Sequence, residues 1–123
     1  KQSIFYKKIM SLLLIKKKNK AFHPNAKREN LDMGKNIFSF KRTSLDKKQV
    51  IYNITNLSSK HQNFNFNNKF KKYKNLLDKS KIEYKSTLQP FETLWLSNKK
   101  WKFFYSIIYK IIIFKKLILK NTK

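Results

Sequence analysis

The chain's whole supply of carboxylates is Glu29, Asp32, Asp46, Asp78, Glu83 and Glu92, and its imidazoles are His23 and His61. None of these falls in a catalytic or metal-ligating spacing, since the two histidines stand far apart in the chain and form neither HxxxH nor HExxH. Glu29 and Asp32 could make a carboxylate pair at a spacing of three, but Lys27, Arg28 and Lys35 flank them, and solvated charge balance accounts for the arrangement. A single glycine rules out a glycine-rich phosphate loop, and the absence of cysteine rules out disulfides and thiolate metal sites. The expectation is a protein without catalytic residues, metal, cofactor or small-molecule substrate.

The chemistry the sequence does offer is cationic and flat. Lys16, Lys17, Lys18 and Lys20 lead into Phe22 and His23. Basic pairs follow at Lys27-Arg28 and Lys41-Arg42, and then come Lys71, Lys72 and Lys74 beside Phe70 and Tyr73, and Lys99, Lys100 and Lys102 around Trp101. Lysine neutralises a phosphate as a point charge, whereas arginine grips it with a planar fork. Aromatic rings stack on unpaired bases. These lysines and arginines are therefore the candidate RNA contacts, Arg28 and Arg42 foremost, with Phe22 and His23 as candidate stacking residues. For Trp95, Trp101 and most C-terminal rings, ordinary core packing is the expectation.

Charge sets the same direction. The 123 residues carry 30 Lys and Arg against 6 Asp and Glu, a net charge of +24. On one small domain that excess repels itself until a polyanion neutralises it, and nucleic acid does so with release of condensed counterions. A chain that is 41% hydrophobic and 15% aromatic is not a disordered basic tail. Phe, Tyr, Met, Ile, Asn and Lys make up 73 of the 123 residues while Gly, Ala, Arg and Pro together make up 7, which points to an A+T-rich genome.

The elements that must carry these groups read as mainly α with extended basic segments and a small β-hairpin, ordered within an assembly. Residues 1–20 have Phe5, Ile9, Leu12 and Leu13 opposite Ser3, Lys7, Lys8 and Ser11, which predicts a basic amphipathic helix. The lysines after its apolar run mark it as part of the working protein rather than a removed leader. Residues 21–68 read as loop-rich, with a hairpin over 36–57 built from Asn36–Thr43 and Val50–Leu57. Residues 69–123 read as helical. Phe70, Tyr73, Leu77 and Tyr84 recur at helical spacing, Pro90 and Glu92 fit a helix start, and 99–120 forms a long amphipathic helix. Lys110 at the centre of that last segment would cost about 2.5–3.5 kcal/mol in a bilayer, so an amphipathic helix lying along an apolar partner fits better than a span.

In composition and charge along its whole length the chain resembles the Lys-, Asn-, Ile- and Phe-rich ribosomal proteins encoded in protist and fungal mitochondrial genomes. That resemblance implies a structural constituent of a mitochondrial or plastid ribosome, with rRNA and neighbouring ribosomal proteins as partners. The alternatives are a basic accessory subunit of an organelle inner-membrane complex, with membrane contact through the lysine-flanked ends, and a DNA-compacting protein. Zinc-finger, zipper, helix-turn-helix, RNA-recognition-motif and KH signatures are all missing from the sequence.

Overall fold

The fold is that of a computed structural model, which describes residues 3–64, 70, 72–82, 87–98 and 102–120, the last of these with side chains from 110 onward. In chain order the elements are helix α1 (Ile4–Lys18), a short 3-10 turn (Lys20–Phe22), strands β1 (Lys27–Leu31), β2 (Ile37–Thr43), β3 (Val50–Asn56), β4 (Gln62–Asn63), β5 (Lys74–Asn75), β6 (Thr87–Leu88) and β7 (Thr93–Ser97), and helix α2 (Lys102–Lys120). Five strands make one antiparallel sheet in the order β1-β2-β3-β7-β5, and β4 pairs with β6 in a second, two-stranded sheet. β1 and β5 are the edges of the larger sheet.

β3 lies between β2 and β7, and its alternation decides what each face is. Tyr52 and Ile54 point to one face, opposite Leu96 and Leu94 of β7. There they close a core with Phe64, Phe70, Ile82 and Leu88 from the covering segments. Tyr52 meets Phe70 edge-on with centroids 4.8 Å apart, and Phe70 meets Tyr73 in the same manner at 5.3 Å. Such contacts add to ordinary area burial. Asn56 is fully buried at the end of this face. Its Nδ2 donates to the carbonyls of Lys60 and Gln89, at 2.7 and 3.0 Å, while its Oδ1 accepts from the Ser58 N–H and hydroxyl. One side chain thus ties the β3 exit to the turn before β7.

A mainly α fold is overturned here: most of the body is antiparallel sheet, with one helix near each end. Residues 72–82 are turns around the short β5, not a helix. The spacing of Phe70 and Tyr73 serves the aromatic cluster on Tyr52, and Lys79 adopts φ +62, in the left-handed region that ends a helix. Residues 87–97 are not helical either. Phe91 sits at φ +56, Glu92 Oε2 accepts from the Gln89 N–H at 2.8 Å to close a turn, and Leu94 and Leu96 then alternate with Thr93, Trp95 and Ser97 as a strand requires. Residues 27–31, read as loop, form edge strand β1 with Arg28 opposite Arg42. Glu83 and Tyr84 lie outside the described residues.

The β2–β3 turn is built on Asp46, whose Oδ1 accepts from the Ser44 hydroxyl at 2.6 Å and the Lys48 N–H at 3.0 Å. Lys47 within it has φ +58. Glycine would hold that conformation without strain, so Lys47→Gly should raise stability by about 0.5–1 kcal/mol. Ile54→Ala, which empties a fully buried site between Leu94 and Ser39, should lower it by about 2–5 kcal/mol. Urea melts of both variants against the parent chain measure the two shifts.

Candidate nucleic-acid interface

Among the described residues, the other face of the sheet buries Ile51 and Asn53 and leaves Phe38 exposed. Register places its residues in three rows that run across the strands. The first holds Arg28, Arg42, Ile51, Ser97 and Lys74, the second Asn30, Phe40, Asn53 and Trp95, and the third Phe38, Thr55 and Thr93. The single acid within these five strands, Glu29, pairs across from Lys41 and therefore lies on the opposite face. Among the described residues of these strands, the open face carries two arginines, a lysine and three aromatic rings, and no carboxylate.

A polar chain fixes the Trp95 ring. Trp95 Nε1 donates to Asn53 Oδ1 at 2.9 Å, Asn53 Nδ2 donates to Thr55 Oγ1 at 3.2 Å, and the Thr55 and Thr93 hydroxyls share a hydrogen bond of 3.0 Å. Asn53 is 7% exposed, so its amide could not be left unpaired cheaply. Phe38 and Phe40 sit edge to face with centroids 5.6 Å apart. The Arg28 guanidinium lies 4.3 Å from the Phe40 centroid, a cation–π contact that holds it flat on this face. Phe38 remains 42% exposed.

Two arginines directly opposite each other would repel. They are drawn apart instead, because Arg42 Nε donates to the Ala21 carbonyl and a terminal nitrogen to the His23 carbonyl, both at 2.8 Å, while Arg28 leans over Phe40. Arg42 thereby clamps the 3-10 turn over one end of the face. Gln49 supports the same turn: its Oε1 accepts from the Ala21 N–H, and its Nε2 donates to Asn19 and Ser97. Phe22, carried by the turn, packs on Trp95 with centroids 5.0 Å apart and extends the aromatic surface. His23 Nδ1 accepts from the Asn25 N–H, so its ring belongs to that loop.

The structure divides the basic residues singled out in the sequence. Strand alternation splits each basic pair: Arg28 and Arg42 face the aromatic surface, whereas Lys27 and Lys41 stand on the other side and flank Glu29 at 3.1 and 3.6 Å. Those ammonium groups, Lys27 first, hold the Glu29 carboxyl below its ordinary range. Lys16, Lys17 and Lys18 form the last turn of α1, and Lys20 pairs with Asp46 at 3.2 Å. Lys72 is exposed and Lys74 half-buried. Lys71, Lys99 and Lys100 lie outside the described residues, and Lys102 opens α2. Phe38, Phe40, Asn53 and Trp95 were not singled out as a surface. Their signal was the two-residue alternation of Phe38, Phe40 and Arg42, which becomes meaningful only once β1 and β7 are known to flank the hairpin.

Among the described residues no group of three or more His, Asp or Glu side chains could hold a metal ion. Compared with protein-family models, curated proteins and solved structures, the chain matches none.

The Ser44 hydroxyl, the Lys48 N–H and the Lys20 ammonium together hold the Asp46 carboxyl down at about 2, from an ordinary 3.8. A carboxyl depressed in the folded state stabilises the fold above the ordinary value, and that contribution is lost as pH falls through about 2. Ser44→Ala should return the Asp46 midpoint toward 3.8. Lys20→Ala should move it less. Carboxyl NMR titration of the two variants reads the order of these causes.

Proposed function

We propose that this chain is a structural, RNA-binding constituent of an organellar ribosome, mitochondrial or plastid, that docks unpaired segments of rRNA on the open face of its sheet. The observation that carries the reading is the composition of that face: Arg28, Arg42 and Lys74 beside Phe38, Phe40 and Trp95, with no acid among the described residues of its strands. A phosphate backbone supplies the missing negative charge. Splayed bases find the Trp95 ring already fixed by Asn53 and the Phe38 and Phe40 rings packed edge to face, so little ordering is needed when they arrive.

The lysines that do not reach this face fit the same reading. Lys16–Lys18 at the end of α1 and Lys27 and Lys41 across the sheet offer phosphate contacts from other directions, as a protein set into folded RNA needs. The assignment to a ribosome rests on the compositional likeness and on a net charge of +24, which rRNA and neighbouring ribosomal proteins would neutralise and cover.

Two measurements test it. In a gradient of organelle lysate the chain should travel with an rRNA-containing particle and be released by RNase or high salt, not by DNase or detergent. With the purified protein, Phe38→Ala should weaken binding to single-stranded RNA by about 1–3 kcal/mol without lowering the melting temperature, since the ring is exposed. Arg28→Ala should weaken it as well and flatten its salt dependence. Equal affinity of parent and Phe38→Ala chains for single-stranded RNA would remove the sheet face from the proposal.

A further inference from the structure

The RNA reading uses the lysines at the end of α1 but leaves the apolar side chains of both terminal helices without a partner. α1 buries none of its fifteen residues, and its apolar side chains stand in solvent on every side: Phe5 is 73% exposed, and Ile9, Leu13 and Leu14 are exposed as well. In α2, Ile111, Ile112 and Phe114 are likewise exposed. A helix that is apolar around most of its circumference is stable only when something covers it. Among the described residues, the sheet's core takes no side chain from either helix.

Charge complementarity selects the cover. Each helix carries five lysines and no acidic residue. Helix-to-helix pairing with a second copy would set cation against cation over the whole contact, with no carboxylate to relieve it. RNA would neutralise the lysines but leave the isoleucines and phenylalanines in water. A surface that is apolar inside and anionic at its rim satisfies both needs, and a lipid leaflet with acidic headgroups is built that way along the whole length of each helix.

Length and charge position also fix the mode of contact. Among the described residues no helix is long and apolar enough to cross a membrane. Lys110 stands in the middle of α2 and Lys115 and Lys116 near its end. Long lysine stems let the ammonium groups reach the headgroups while the helix lies in the interface plane. In α1 the three lysines of the last turn also sit at the negative end of the helix dipole.

We infer that α1 and α2 are interfacial anchors that hold the protein on an anionic lipid surface, while the open face of the sheet stays turned to its other partner. The inference is independent of what that partner is.

The chain has no cysteine, so single labels can be placed at will. The full chain would carry an environment-sensitive dye at Leu13→Cys, at Ile111→Cys or at Ser59→Cys, the last in the exposed loop after β3. Each would be mixed with vesicles of phosphatidylcholine alone or of phosphatidylcholine with phosphatidylglycerol, and flotation recorded alongside. The expected result is a blue shift at 13 and 111 but not at 59, on the anionic vesicles. A Leu13→Glu/Ile111→Glu chain should lose about tenfold or more in partitioning while keeping its RNA affinity. Phe38→Ala should float like the parent, so failure of the RNA reading and failure of this one are told apart. No flotation, equal flotation of the double-glutamate chain, or labels already shielded without lipid, by self-association or by RNA, would each overturn the inference.

Discussion

Strand β3 has a hydrogen-bonded neighbour on both sides and side chains engaged on both faces, and every other part of the body is placed relative to it. Its inward residues, Tyr52 and Ile54, meet Leu96 and Leu94 in one direction and Lys41 and Ser39 in the other. Its outward residues, Asn53 and Thr55, hold the Trp95 ring and the Thr93 hydroxyl. A one-residue slip would exchange the two sets, driving Asn53 and Thr55 into the core and Tyr52 and Ile54 into water. Register along β3 therefore decides both the stability of the core and the chemistry of the open face.

Electrostatic self-repulsion is the second constraint, and the fold meets it by distribution. Splitting Lys27-Arg28 and Lys41-Arg42 across the sheet keeps four cations from crowding one surface. The scarce acids are placed where they act locally: Glu29 between Lys27 and Lys41, and Asp46 inside the turn that joins β2 to β3. Neither is spared for the aromatic face. The positive potential there is thus a product of topology as much as of composition.

How far the sequence foretold this depends on which period a segment shows. The β-branched and aromatic run at 50–57 and the alternation at 36–43 read as strands, because their period of two is clean and a polar turn separates them. Residues 93–97 carry the same period, but Leu94 and Trp95 following Pro90 and Glu92 also suit a helix over so short a window, and only the Phe91 backbone decides. At 70–82 the spacing of three between Phe70 and Tyr73 is real, yet it arises from their common contact with Tyr52, far off in sequence. The charge of the candidate site was legible from composition. Its assembly was not, since Arg28 meets Phe40 only because β1 pairs beside β2.

The outer edge of β1 is a row of backbone groups with Lys27 and Arg28 on its strand, and charge on an edge strand is what discourages pairing with another chain. Such a guard is a matter of stoichiometry. It is strongest on the bare protein and fades as its cations are neutralised. Were the proposed RNA partner present in excess, it would both neutralise and cover each edge, and complexes would stay apart. Near charge equivalence the edges are discharged but not yet covered, and neighbouring sheets are free to join. On the proposed RNA-binding reading, the order and ratio in which protein and RNA meet would then govern whether they form discrete particles or a precipitate.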